Sequence, residues 1–158
     1  MDIENLLVQL TESTGISGFE QPVSAVIEDI WNNYVDQIKK DKLGNLIAYK
    51  KGNAKNPIRV MLAAHMDEIG LMVKEIDEKG FVRFTNIGGI DERTLLAQEV
   101  IIHGKEDVFG IIGAKPPHLQ TSEERQKTIK MQDLMIDTGY SKEEVQKRIT
   151  IGDPITIR

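Results

Sequence analysis

The chain carries three histidines and no cysteine, so any metal site in it must be built from His, Asp and Glu. The most informative of the three lies in Ala63-Ala64-His65-Met66-Asp67-Glu68-Ile69-Gly70, at the end of the apolar run that begins at Pro57. Residues two apart on a strand face the same side, so His65 and Asp67 are expected to project together, with Met66 and Glu68 turned away. The C-terminal edge of a strand in an α/β sheet is where ligand sites collect. A neutral imidazole there suits zinc or cobalt. A carboxylate beside it can orient the ring and raise its basicity. By pattern alone the pair reads equally well as a hydrogen-bonded His–Asp couple at a strand terminus. Glu68, on the opposite face, is not expected to take part.

The other candidates read more plainly. His103 closes the apolar run Val100 to Ile102 and is expected to be structural. His118 follows two prolines in a polar stretch and reads as a solvated loop tip, or as a contact at an oligomer interface. Asp91-Glu92-Arg93 reads as a charged turn. Gly88-Gly89 lacks the lysine and helix start of a phosphate loop.

The elements that must position His65 and Asp67 follow from hydrophobic period. Ile3, Leu6, Leu7 and Leu10 share one face of a helix over residues 2–11. Val23, Val26, Ile27, Ile30, Trp31 and Tyr34 give the same spacing over 19–34, which places Trp31 on the core face. Ser17 with Glu20 has the pattern of a capping box for that second helix, and Pro22 falls in its first turn. Val35 to Ile38 reads as a strand start, and Leu43-Gly44-Asn45-Leu46 as a turn into a strand at Ile47 to Tyr49. Pro57 to Ala64 reads as a strand covered on both faces. Beyond Gly70, short strand-like runs at Leu71–Val73, Phe81–Phe84, Glu99–His103 and Val108–Ile112 are separated by turn signals. They suggest a small β-barrel or sandwich. Pro116 to Lys130 reads as an exposed loop, with Glu123 to Lys130 solvated. Ser141 and Glu144 form a capping box for a short helix to Arg148, and Ile149 to Ile157 is a last strand broken at Gly152-Asp153-Pro154. The fold class is α/β: one side of a layered α/β unit over residues 1–68, then a mostly β unit over 69–158 that springs from it without a linker.

Composition narrows the partners. A net charge of -5 and an aromatic content of 5% argue against nucleic acid and anionic membrane. No apolar run approaches a membrane span, and Met1 to Asn5 lacks the positive start of a signal peptide, so a cytoplasmic protein is expected.

Several segments, in order along nearly the whole chain, resemble peptidase family M42, a family of aminopeptidases. They are Gly15-Ile16-Ser17-Gly18-Phe19-Glu20, Asp41-Lys42-Leu43-Gly44-Asn45, Ala64-His65-Met66-Asp67-Glu68-Ile69-Gly70, Gly113-Ala114-Lys115-Pro116-Pro117-His118, and Ile136-Asp137-Thr138-Gly139 with Gly152-Asp153-Pro154. The resemblance implies a hydrolase with two divalent metal ions, zinc or cobalt, which activate a water and polarise the scissile carbonyl of a peptide substrate. His65 then corresponds to a metal ligand and Asp67 to the catalytic supporting carboxylate. Residues 1–68 correspond to the N-terminal part of the catalytic domain and 69–158 to an inserted PDZ-like dimerisation domain, which builds dimers and often a tetrahedral dodecamer. The family's bridging aspartate, general-base glutamate, further carboxylates and last histidine lie beyond that domain. One ligand of several is therefore expected here, and the chain by itself is expected to be inactive. The alternative is a non-catalytic self-association module with a vestigial ligand. Some relatives of this type carry endoglucanase labels, but no matched carboxylate pair over an aromatic platform marks a sugar site.

Overall fold

In the computed structural model, which describes residues 2–123 and 129–158, the first helix is α1, Ile3–Thr11, capped by the Asp2 carboxylate on the Glu4 N–H at 3.1 Å. The second, α2, spans Gln21–Trp31 with Pro22 in its first turn. The expected Ser17–Glu20 capping box does not form. The N-cap is Glu20, which makes no side-chain cap bond and instead accepts from the Gly18 N–H at 2.7 Å. The Ser17 hydroxyl is engaged elsewhere, as described below. Trp31, at the end of α2, is 37% exposed rather than in a core.

Two short antiparallel strands follow, β1 at Gln37–Lys40 and β2 at Leu46–Tyr49, paired from Gln37 with Tyr49 to Lys40 with Leu46. Asp41 builds the turn between them. Its carboxylate accepts from the Leu43 and Asn45 backbone N–H groups at 2.9 and 3.0 Å, and Gly44 supplies a φ of +90°.

The expected two-sided strand from Pro57 to Ala64 does not form. The stretch has no ladder partner, and Ile58, Val60, Met61 and Leu62 are 77–92% exposed. A strand apolar on both faces needs neighbouring strands for its backbone and helices over its side chains. Among the described residues neither is supplied. Within Met1–Glu68, one of two compact units, the buried apolar side chains are Ile16 and Val23. Ile3 and Leu7, on the apolar stripe of α1, are more than half exposed.

The second unit, Ile69–Arg158, has a complete core. Six antiparallel strands close into a barrel: β3 (Gly70–Ile76), β4 (Val82–Ile87), β5 (Glu99–His103), β6 (Asp107–Ala114), β7 (Leu134–Asp137) and β8 (Pro154–Ile157). Their order around the barrel is β3-β4-β7-β6-β5-β8, and Leu71 opposite Ile155 joins the last to the first. Alternation decides what faces in. On β6, Val108, Gly110 and Ile112 are buried while Asp107, Phe109 and Ile111 face out. Leu71, Val73, Val82, Ile102, Ile136 and Ile155 fill the interior, with Val145 of α3 (Lys142–Arg148) packed among the core residues. The Ser141–Glu144 capping box of α3 is present. Gly80, in the β3–β4 turn, has a φ of +89°, and a Cβ there would lie 2.7 Å from the Tyr140 carbonyl oxygen.

β7 is four residues long, and the sequence pattern alone does not mark it as a strand. Its edges are satisfied by β4 and β6, which lie far from it in sequence. The polar stretch after Pro116 begins with a short helical turn at Pro117–Leu119, and its centre, 124–128, lies outside the described residues. Among the described residues no helix is long and apolar enough to cross a membrane.

The charged turn at Asp91 caps a helical turn over Glu92–Thr94. The Arg93 guanidinium reaches the Asp91 carboxylate at 2.5 Å, and with the Arg93 backbone N–H it holds the carboxyl down to about 2. The charged pair is intact above the ordinary aspartate range and is lost as pH falls through about 2. A carbon-detected titration is expected to place the Asp91 midpoint near 2, and Arg93→Ala to return it toward the usual value of 3.8. An ordinary midpoint in the unaltered chain would refute the pairing.

Candidate functional site

The loop between α1 and α2 is fixed to the segment that carries His65 and Asp67. Ile16 and Glu68 form a parallel bridge. Glu68 donates its backbone N–H to the Gly15 carbonyl at 2.8 Å, and its carboxylate accepts from the Gly15 N–H at 3.0 Å. Ser17 N–H reaches the Glu68 carbonyl at 3.4 Å. Ile16 is fully buried. A Cβ on Gly15 would meet the Val23 side chain at 2.7 Å, so the loop sits tight against α2. Glu68 is thus a strut.

This clamp presents His65 and Asp67 to each other. His65 Nδ1 lies 3.0 Å from Asp67 Oδ1 and 3.1 Å from the Asp67 backbone oxygen. Both partners can only accept, so Nδ1 carries a hydrogen, and in the neutral ring Nε2 keeps its lone pair. The His65 side chain is 85% exposed, so that lone pair is accessible. Asp67 is less exposed, at 37%. Its second oxygen, Oδ2, accepts a short hydrogen bond from the Ser17 hydroxyl. The Ser17 hydroxyl first, and then the His65 ring, hold the Asp67 carboxyl below the usual carboxylate range, against the burial that opposes them. Asp67 is therefore ionised at neutral pH.

The arrangement is a hydroxyl, a carboxylate and an imidazole in series, ending in an open nitrogen. That is the form of a histidine metal ligand oriented from behind by a carboxylate. One imidazole nitrogen is a fraction of what a catalytic zinc requires, which is about three protein ligands. Among the described residues no group of three or more His, Asp or Glu side chains comes together. The donor set fits one corner of a metal site, and the described residues by themselves do not complete one.

The remaining histidines are accounted for otherwise. His103 Nδ1 lies 2.9 Å from the Asp107 carboxylate, and its Nε2 lies 2.9 Å from the Thr156 hydroxyl. Both ring nitrogens are occupied in tying β5 to β6 and β8. His118 is exposed in the turn over Pro117–Leu119. Ser17 is the site residue that sequence patterning passed over, because a Ser three residues ahead of a Glu satisfies a capping signature that the backbone does not use. The signal that could have found it is the pair of glycines around Ile16-Ser17, which marks a tight loop rather than a helix start.

A model of the M42 glutamyl aminopeptidase family matches residues 44–158. Lysyl aminopeptidase of Pyrococcus furiosus is 40% identical over 156 residues, which take in 94% of this chain and 44% of that protein. A TET aminopeptidase from a marine sediment archaeon of the Thaumarchaeota superposes with a TM-score of 0.91 at 37% identity, over 98% of this chain and 44% of that one. The TET1 peptidase of Pyrococcus horikoshii, described as assembling into a tetrahedron or a large octahedral shell, gives 0.84 at 36% identity over 99% of this chain and 47% of its own. The chain spans less than half the length of each.

Proposed function

The chain belongs to the M42 glutamyl aminopeptidase family, and from that premise we propose that it is the N-terminal portion of a metal-dependent aminopeptidase releasing N-terminal residues from peptides. His65 is a metal ligand, and Asp67 is the carboxylate that orients it. The observation that carries this reading is the His65 ring itself: its Nδ1 hydrogen is held by Asp67 at 3.0 Å, and its Nε2 is open. When bound, two divalent ions, zinc or cobalt, supply an activated water and a polarised scissile carbonyl. The chain's own share is positional. Asp67 fixes the ring's tautomer and plane and, being ionised, strengthens the donor nitrogen.

The remaining ligands come from polypeptide corresponding to the rest of the longer relatives. The exposed stretch from Ile58 to Leu62 supports this, because its side chains have the composition of a central strand and no cover. The same polypeptide would lay strands and helices against it. Residues 69–158 serve as a PDZ-like dimerisation domain, in a cytoplasmic homo-oligomer of the kind its TET relatives form. The test is complementation. The 158-residue chain alone is expected to release no N-terminal residues. Mixed with the complementary polypeptide of a relative and cobalt or zinc, it is expected to gain metal-dependent release. A stable complex without activity at any metal concentration would sink the assignment.

A second reading, a self-association module with a vestigial ligand, is favoured by the contrast between the two units. The barrel has its own core and leaves Phe109 and Ile111 half-exposed on its outer face, whereas the first unit buries little. Light scattering on the full chain separates the cases: a strict monomer that binds metal through His65 disfavours the module.

A further inference from the structure

Asp67 has two carboxylate oxygens, and both are used. Oδ1 faces His65 Nδ1 at 3.0 Å, and Oδ2 takes the Ser17 hydroxyl. The hydroxyl arrives from a residue fifty positions away in sequence, so it is not a by-product of local turn geometry. Its backbone is anchored independently, through the Ile16–Glu68 bridge and the bonds of Gly15 and Ser17 to Glu68. A carboxylate on a single Cβ can rotate about its side-chain torsions. Held at one oxygen only, Asp67 could turn away from the ring; held at both, it has one orientation. A hydroxyl donating to a carboxylate is also a charge-assisted bond, stronger than a neutral one.

We propose that Ser17 is a positioning residue: by donating to Asp67 Oδ2 it locks the carboxylate so that Oδ1 holds the Nδ1 hydrogen of His65 and leaves Nε2 free to bind. It acts through Asp67 and touches neither substrate nor metal. The assignment of Nε2 to a metal rests on the functional reading above, whereas the effect of Ser17 on the ring does not.

The test uses the full 158-residue chain labelled with nitrogen-15 at histidine. In the unaltered chain His65 shows the Nδ1–H tautomer. In Ser17→Ala it moves part of the way toward the mixed tautomers of a free imidazole, the Asp67 backbone oxygen at 3.1 Å still favouring Nδ1–H, with the amide resonances of Ile16 and Glu68 unchanged. The zinc concentration that half-shifts His65 Nε2 rises by about tenfold, the lower end of what losing such an orienting partner costs. Ser17→Thr keeps the hydroxyl and retains the unaltered behaviour. A Ser17→Ala chain whose His65 stays in the Nδ1–H form overturns the proposal. So does mixing of tautomers in the Ala and Thr variants alike, or loss of the Ile16 and Glu68 resonances, which would make Ser17 a docking residue only. Failure of zinc to shift His65 in the unaltered chain is what a lone ligand can give; complementation then decides the metal-ligand reading, and the tautomer comparison decides on Ser17.

Discussion

In the complemented enzyme, His65→Ala is expected to lower the release of N-terminal residues by more than about a hundredfold, and Asp67→Asn by about ten- to a hundredfold. The two losses differ in kind. Alanine at 65 removes the donor nitrogen outright. Asparagine at 67 keeps the shape beside the ring but replaces an ionised acceptor with a neutral amide. The Asp67 carboxylate is held in its charged form, first by the Ser17 hydroxyl, so the substitution discards a charge the fold has gone out of its way to keep. Raising the metal concentration should recover part of the Asn variant's rate and none of the Ala variant's. The check is initial rates against cobalt or zinc concentration for the three proteins side by side. Equal rates for the unaltered enzyme and the His65→Ala variant would remove this site from the mechanism.

The barrel should respond as sharply to a change far from any chemistry. Ile136 is fully buried on β7, and a Cβ built on Gly110 of β6 would lie 2.4 Å from its Cγ2 and 3.2 Å from the Asp137 carbonyl oxygen. The two residues stand diagonally across the β6–β7 ladder, where Ile112 pairs with Ile136. Ile136→Ala is expected to cost about 2–5 kcal/mol, from lost transfer energy plus the cavity left behind. Gly110→Ala is expected to cost about 1–3 kcal/mol by overpacking, because the branched methyl it meets belongs to an enclosed side chain that cannot swing aside. The double variant should be less damaged than the two losses added, by about 0.5–3 kcal/mol, since the smaller side chain opens the space the new methyl needs. Denaturant unfolding of the four proteins measures this, and strict additivity would show that the two positions do not compete for space. Against a total stability of roughly 5–15 kcal/mol, the Ile136 variant is a large fraction of what holds the unit together.

Much of the local structure was legible in the residues. The spacing of Ile3, Leu6, Leu7 and Leu10 marks a helix, and α1 is Ile3–Thr11. Ser141 and Glu144 announce the start of α3 through a bond pattern confined to four residues, and both bonds are made. The runs at Leu71, Phe81, Glu99 and Val108 fall within or overlap β3 to β6, because alternation at period two is a property of neighbours along the chain. For the site, His65 and Asp67 meet as their spacing suggests, but no strand runs through them, and it is the clamp of the α1–α2 loop on Glu68 that holds the segment in place.

What the residues did not disclose depends on partners distant in sequence. Ser17 and Glu20 satisfy a local capping rule, yet the hydroxyl donates to Asp67, because a bond to the ionised carboxylate brought alongside by the Ile16–Glu68 bridge is charge-assisted and stronger than accepting from a backbone N–H one turn ahead. The run from Pro57 to Ala64 has the composition of a central strand, but a strand is a pairwise object, and its exposure was decided by which neighbours were there to pair. β7 is too short to announce itself and exists because β4 and β6 offer it hydrogen bonds on both edges. The amino-acid sequence by itself determined the helices, the turn chemistry and the closeness along the chain of an imidazole and a carboxylate. Tertiary structure alone decided the barrel's closure through Leu71 and Ile155, the hydroxyl that fixes the carboxylate, and the open face of the first unit, because each of these is a contact between groups that no local rule brings within reach.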